Sequence, residues 1–360
     1  MAVSHVKIHP GMESITNIMV LISQDKEHVF KPKSLAKMRK DKPLRLIKSQ
    51  FVPLLAFFII LITCCIVLIS STKSSSSDGA CGTTSIASQN SKNLERNELL
   101  HVLRRISMED RTVILTGIVD EAWTSPGSVL DLFLESFRLG QGTQMLLNHL
   151  LIVTVGNETL QHCNSLHPHC LELTPLGSIN NLLLEVLKLG YSFFFTEVDV
   201  MWFRTPVLNI NPMKEITIPC DIASYESESE SNRPGRGLFY VKSTERAIEL
   251  FRYWKVLGIL YQTFHVESLC ENLKEHQEYI EMLGVHIHYL DTAYFGGFCR
   301  GGSKDMNMVY TMHANCCQDV ENKVYDLRLV LDGWRNFTAQ PSNFRSGMVP
   351  SWRAPTKCIA

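Results

Sequence analysis

Glu197 and Asp199 stand two positions apart in "FFFTEVDVMWFRTP" (193–206), where an intensely apolar run ends. Side chains two apart on an extended segment face the same side, so both carboxylates can converge on one cation. Hard oxygen ligands of this kind suit Mg²⁺ or Mn²⁺ bridging a diphosphate, whose negative charge would otherwise be uncompensated. The plainer reading is a solvated turn with two harmless acids. A hydrolase is poorly supported: the chain has no Gly-x-Ser-x-Gly elbow. Two carboxylates on one strand are also not the opposed acid and nucleophile of a glycosidase.

The elements that must hold this pair are legible in the flanking pattern. "RTVILTGIV" (111–119) and "HLLIVTV" (149–155) read as buried strands, and "PGSVLDLFLESFRLG" (126–140) and "INNLLLEVLKLGY" (179–191) as helices bounded by Gly or Pro. "NETLQHCNSLH" between them is a second helix. This alternation predicts an α/β domain with a mostly parallel sheet. In such sheets ligands bind beyond the carboxyl ends of the strands, so Phe193–Phe195 should be buried strand and Glu197 and Asp199 should emerge at its end. Trp202 and Phe203 then either line the crevice or belong to the core.

At 360 residues and 45% hydrophobic content the chain can bury a sizeable core, and its formal net charge of −1 gives no global reason to expect a nucleic-acid partner. "FVPLLAFFIILITCCIVLIS" (51–70) carries no charge and is long enough to cross a bilayer as a helix. Eight Lys and Arg residues from Lys31 to Lys48 precede it, and only Lys73 closely follows. The expected topology is therefore type II, with the N-terminus cytosolic and the signal anchor retained. The expected organisation is a basic cytosolic tail (1–50), the anchor (51–70), a Ser/Gly-rich stem (71–108), a catalytic domain (109–338) and an irregular C-terminal tail (339–360).

A lumenal body agrees with two other features. Asn157-Glu158-Thr159 and Asn336-Phe337-Thr338 are N-glycosylation sequons, and all eleven cysteines except Cys64 and Cys65 follow the anchor. Cys163 with Cys170, and Cys316 or Cys317 with Cys299, are the candidate disulfides. The adjacent Cys316 and Cys317 lack the partner set of a zinc site.

Several motifs in order, "RTVILT", "SVLDLFLESFRLG", "LLNHLLIV", "LGYSFFFTEVDVMWFRTP", "NRPGRGLFYVKS", "LDTAYFGGFC" and "TMHANCC", resemble the plant nucleotide-diphospho-sugar transferases of glycosyltransferase family 77, which have the GT-A fold. The resemblance spans roughly residues 110–335. It implies a Golgi enzyme moving a xylose- or arabinose-like sugar from a nucleotide-diphosphate donor to a cell-wall glycan or glycoprotein, with Mn²⁺ or Mg²⁺ as cofactor.

Carried onto this chain, the resemblance makes Asp199 the cation ligand with His313, and assigns Glu197, Asp199 and Asp291 to catalysis. It places Glu197, Thr116, Gly296 and Gly297 on the donor side and His265 and Glu267 on the acceptor side. His313 could also donate to the leaving phosphate. The chain departs from the pattern in four places. Glu197 replaces the usual first Asp, "HVES" (265–268) replaces His-Asp-Gln-Asp, Gly235-Arg236-Gly237 replaces the familiar Asn-Gly-Gly, and no Lys or Arg occurs between Arg138 and Lys188, where the family has a longer basic stretch. These departures support the alternative expectation of a catalytically impaired scaffold or binding subunit that retains the fold.

Overall fold

The computed structural model describes residues 96–118, 121–173, 178–220, 237–260, 269–298, 305–341 and 351–358. The anticipated cytosolic tail and anchor, most of the stem, His265, Glu267 and Cys299 lie outside the described residues. Among the described residues no helix is long and apolar enough to cross a membrane.

In chain order the elements are α1 (96–106), β1 (Thr112–Ile118), α2 (Val129–Leu139), β2 (Leu150–Thr154), α3 (Asn157–Leu166), β3 (Cys170–Glu172) and α4 (Ile179–Lys188). There follow β4 (Ser192–Thr196), β5 (Val200–Trp202), β6 (Ile216–Ile218), β7 (Leu238–Val241), α5 (Glu245–Leu260), α6 (Leu269–Glu275) and α7 (Gln277–Leu283). The last are β8 (Ile287–Tyr289), β9 (Phe295–Gly297), β10 (Thr311–His313) and α8 (Val320–Ala339).

Among the described residues the main sheet runs β3-β2-β1-β4-β7-β6-β8. The pairs β3/β2, β2/β1, β1/β4 and β6/β8 are parallel, whereas β7 is antiparallel to both β4 and β6. The sheet is thus mixed, with parallel pairs in the majority. A separate three-stranded sheet, β5-β10-β9, holds the strand that follows the acidic pair.

The central strands are apolar at nearly every position because both faces of the sheet are covered. Val113, Leu115, Phe193, Phe195, Phe239 and Val241 pack on one side with α1, α4 and α5. Ile114, Ile118, Phe194, Leu238 and Tyr240 pack on the other, with α2, α8 and the small sheet. This is the period of two expected of strands. The helices predicted around 126–140, 157–167 and 179–191 are all present. Ser178 caps the last of these by accepting a hydrogen bond from the backbone N–H of Asn181.

The candidate pair Cys163–Cys170 is a disulfide. Cys220–Cys270 and Cys317–Cys358 are two more. Cys317 therefore does not pair with Cys299; Cys316 is also disulfide-bonded. The C-terminal residues 351–358 contain no helix or strand but are fastened to the domain: Trp352 stacks on Phe203 with ring centroids 5.2 Å apart, and Cys358 is buried.

Candidate active site

The acidic pair emerges where β4, held between β1 and β7, ends at Thr196. The Glu197 N–H donates to the Gly237 carbonyl at 2.7 Å, which carries the β4/β7 pairing one step past the strand. The backbone then turns, with the Val200 N–H donating to the Glu197 carbonyl at 3.2 Å. The two carboxylates therefore converge through a tight turn rather than along an extended segment. That corrects the geometric reason for expecting them together, not the expectation itself.

After the turn, β5 leaves the main sheet and pairs antiparallel with β10, setting His313 opposite Val200. The Ala314 N–H continues this pairing by donating to the Asp199 carbonyl at 3.0 Å. An imidazole distant in sequence thus lands beside both acids. His313 Nε2 lies 3.1 Å from Glu197 Oε2 and 3.2 Å from Asp199 Oδ1. Asp199 and His313 are buried, and Glu197 is partly exposed.

A fourth group completes the cluster. Lys323 sits one turn into α8, whose N-cap Asp319 accepts from the Asn322 N–H at 2.8 Å. Its Nζ donates to Asp199 Oδ2 at 2.6 Å and lies 4.6 Å from the centre of the Trp123 ring, a cation–π contact. Asp199 is therefore engaged on both oxygens. With His313 protonated, the formal charges of Glu197, Asp199, His313 and Lys323 cancel, which is how a protein interior tolerates four ionisable groups at close quarters.

The electrostatics follow from that arrangement. Burial alone would push the Asp199 carboxyl upward, but the charges and hydrogen bonds of His313 and Lys323 outweigh it and hold the group well below the usual carboxylate range. Burial would likewise lower His313, yet the neighbouring carboxylates of Asp199 and Glu197 reverse the effect and raise it to about 10. Among the described residues His313 Nδ1 has no hydrogen-bond partner, and the ring is held through Nε2.

The triad fits a divalent cation. Glu197, Asp199 and His313 each offer one ligand atom, and these atoms lie within 4.8 Å of one another. Two carboxylate oxygens and an imidazole nitrogen are a donor set that Mn²⁺ accepts readily, and Mg²⁺ with more reliance on oxygen. Asp199 Oδ1, buried and paired with His313 rather than with Lys323, is grouped with the other two donors.

Gly237 makes the arrangement possible. A Cβ at this position would lie 2.4 Å from Val200 Cγ2 and 2.9 Å from Nδ1 and Cε1 of His313. Only a residue without a side chain leaves room for the ring.

The other sequence-derived candidates are placed differently. Thr116 is completely buried within β1, on the face shared by Ile114 and Ile118, so its side chain is not open to a donor. Asp291 is exposed and accepts the Ala293 N–H at 2.8 Å, capping the turn before β9; no described contact joins it to the triad. Gly296 and Gly297 lie in β9, paired with Met312 and His313. At Gly297 the Asn315 side chain fills the space where a Cβ would stand. Trp202 and Phe203 are fully buried core: Trp202 stacks on Phe137 at 4.8 Å and donates from Nε1 to Thr196 Oγ1. The sequon residues Asn157 and Asn336 are both exposed, the first opening α3 and the second inside α8.

Lys323 and Trp123 were missed by the reading of motifs. The signal for Lys323 was available. With Leu327, Val330 and Trp334 it occupies the i, i+4, i+7, i+11 stripe of α8, and a lysine on an apolar stripe requires a buried partner.

A sequence model of nucleotide-diphospho-sugar transferases matches residues 176–327, which include Glu197, Asp199, His313 and Lys323. The Arabidopsis thaliana uncharacterized protein At4g15970 is 32% identical over 278 residues, covering 72% of this chain and 72% of that protein. Beta-arabinofuranosyltransferase RAY1 of the same plant is 27% identical over 94 residues, 24% of this chain and 18% of its own length. Among solved structures, the galactosyltransferase LgtC with donor and acceptor sugar analogues aligns with a TM-score of 0.35 and 10% identity, over 65% of this chain and 99% of that one. The chain belongs to the nucleotide-diphospho-sugar transferase family. By class it is a nucleotide-sugar glycosyltransferase.

Proposed function

We propose that the protein is a GT-A glycosyltransferase that moves a xylose- or arabinose-like sugar from a nucleotide-diphosphate donor to a cell-wall glycan or glycoprotein, with Mn²⁺ or Mg²⁺ at Glu197, Asp199 and His313. The observation that carries this reading is the convergence of those three side chains beyond the end of β4. The similarity to RAY1 supports a pentose such as arabinose. The uncharged run 51–70 and its basic N-terminal flank support a Golgi membrane protein of type II, with this domain in the lumen.

When bound, the cation supplies positive charge to the diphosphate leaving group. Asp199 and Glu197 bring the negative charge that holds it, and His313 closes the third side. Lys323 is close enough to Asp199 to add a second positive charge beside the leaving group. It supplies from α8 a cation that the segment between Arg138 and Lys188 lacks.

Calorimetric titration of the purified full-length chain with UDP, with and without Mn²⁺, tests the reading. Mn²⁺-dependent UDP binding that disappears in Asp199→Asn supports it. A folded chain that binds no UDP under either condition would move the function to a non-catalytic scaffold.

A further inference from the structure

Three exposed apolar side chains stand on loops that abut one another at the end of the sheet opposite the triad. Met145 is 69% exposed, Leu208 86% and Met308 37%. The segment that carries Met145 leads into the amino end of β2, whereas the triad lies beyond the carboxyl end of β4, and β2, β1 and β4 are parallel. The loops are fastened together. The Gln141 N–H donates to the Phe203 carbonyl at 2.8 Å, a Cβ at Gly142 would stand 3.6 Å from Thr205 Cγ2, and the Arg204 guanidinium donates to the carbonyls of Met306 and Val309. Segments 141–145, 204–208 and 306–308 are therefore neighbours, and each presents an apolar side chain to solvent.

Cations flank the same loops. His149 Nδ1 lies 2.6 Å from the Ile106 carbonyl, which ties the segment before β2 to the last turn of α1, where Arg104 and Arg105 are exposed. Arg138 is exposed in the last turn of α2, just ahead of Gln141. These three arginines make no ion pair among the described residues. The imidazoles of His167 and His169 stand between them: burial first, and then the nearby charges of Arg138 and Arg105 respectively, hold both below their ordinary value. Of the acids beside them, Asp110 and Asp305 accept the N–H groups of Thr112 and Asn307 in tight turns, and Glu109 is exposed. Unpaired arginines of this kind create a positive potential that an anionic surface relieves.

We propose that Met145, Leu208 and Met308, with Arg104, Arg105 and Arg138 beside them, dock the domain on an anionic lipid bilayer. Apolar tips that enter the headgroup layer and cations that meet lipid phosphates are the two contributions such binding uses. A soluble polyanion would satisfy the arginines but leave the apolar tips in water. The proposed anchor at 51–70 brings a bilayer within reach of the chain. Docked through this end, the domain turns the carboxyl ends of its parallel strands, and the triad with them, away from lipid and toward acceptors in solution.

The test oxidises methionines with peroxide in the full-length chain, incorporated into vesicles of phosphatidylcholine with or without phosphatidylserine, and reads the sulfoxide at each position by mass spectrometry. Phosphatidylserine slows oxidation of Met145 and Met308 by at least about fivefold, and high salt reverses the effect. Met282, exposed on α7 beside Glu278 and Glu281, is the internal reference and oxidises equally in both. Arg104→Ser, Arg105→Ser and Arg138→Ser combined, or Leu208→Asp alone, remove the protection. Both variants keep the unfolding midpoint of the unaltered chain, which separates lost docking from lost fold and leaves the outcome independent of any donor site. Equal oxidation of Met145 and Met308 in the two kinds of vesicle overturns the proposal, as does protection that survives both variants. Equal protection by soluble heparin, indifferent to Leu208→Asp, would make the face a site for a soluble polyanion and overturn the lipid assignment.

Discussion

Lys323 Nζ lies 2.6 Å from Asp199 Oδ2, with the lysine and aspartate side chains only 8% and 2% exposed, and this pair joins α8 to the end of the central strand. A buried pair of this kind contributes little net stability once the desolvation of both charges is counted, but removing one partner strands the other. The same contact therefore ties the candidate chemistry to the integrity of the fold.

Asp199→Ala should for that reason be more than a loss of function. It leaves Lys323 and His313 both positive and buried with Glu197 as the remaining acid, and the expected loss is about 3–5 kcal/mol in unfolding free energy. Asp199→Asn retains the shape and one acceptor and should cost less. Chemical denaturation of both variants, beside the UDP titration, separates the two consequences. An Asp199→Ala protein as stable as the unaltered chain would show that the ion pair has no energetic role.

The raised His313 and lowered Asp199 predict how stability varies with pH in the cation-free protein. The imidazole goes from an ordinary value of 6.5 when unfolded to about 10 when folded. Its contribution is complete below about pH 6.5 and is lost as pH rises through about 10. Asp199 behaves oppositely, contributing above its ordinary 3.8 and losing that contribution as pH falls toward its depressed folded value. Unfolding measured in EDTA should therefore show stability declining between about pH 6.5 and 10, and His313→Gln should flatten that decline. Cation uptake must also displace the imidazolium proton, so Mn²⁺ titration near pH 7 should release about one proton per ion. A decline that persists unchanged in the His313 variant would assign it elsewhere.

Much of this was open to a reader of the sequence, and the parts that were not share a cause. The uninterrupted apolar runs 193–195 and 150–153 announced strands buried on both faces, and an acidic pair at the end of one of them announced the site. His313 entered through the resemblance of its flanking motif rather than through anything local. Lys323, Trp123 and the Cys317–Cys358 bridge were not anticipated because their partners are remote in the chain, and a pattern of periods two and 3.6 carries no information about which helix meets which strand end. Even so, Lys323 on the buried stripe of α8 was a local anomaly that pointed to a hidden anion. At Gly297, close packing against the Asn315 side chain and close approach to a ligand would leave the same mark in a sequence.

Gly237→Ala offers a sharper probe of site geometry than replacing a ligand, because it alters no charge. The added methyl would meet Val200 Cγ2 at 2.4 Å and the His313 ring at 2.9 Å, and β7, beginning at Leu238, is held by pairing with β4. The ring must therefore shift, at an expected cost of about 1–3 kcal/mol in stability. Mn²⁺ affinity should fall, since displacement of Nε2 spoils one of three ligand directions. Normal Mn²⁺ affinity in a stably folded Gly237→Ala protein would mean that His313 is not a ligand.

The C-terminal segment yields the last prediction. By sequence it is an irregular tail, and such segments commonly tolerate removal. Here Asp326, completely buried in α8, accepts hydrogen bonds from the backbone N–H groups of Thr356, Lys357 and Cys358 at 2.9, 2.8 and 2.7 Å and from Thr356 Oγ1 at 2.8 Å. Deleting residues 351–360 removes every one of these donors from Asp326, opens the Cys317–Cys358 bridge and strips Trp352 from Phe203 and Trp334. Loss of the bridge alone is worth about 2–4 kcal/mol and each lost hydrogen bond to a charged group adds to it, so the deletion should cost upward of about 3 kcal/mol. Cys358→Ser, which breaks the bridge but leaves the clamp on Asp326, should fall between the deletion and the unaltered chain. Because Lys323 lies one turn before Asp326 and His313 four residues before Cys317, the deletion should also weaken Mn²⁺ binding in whatever fraction remains folded. A truncated chain that unfolds at the same denaturant concentration as the full one would restore the reading of this segment as a loose tail.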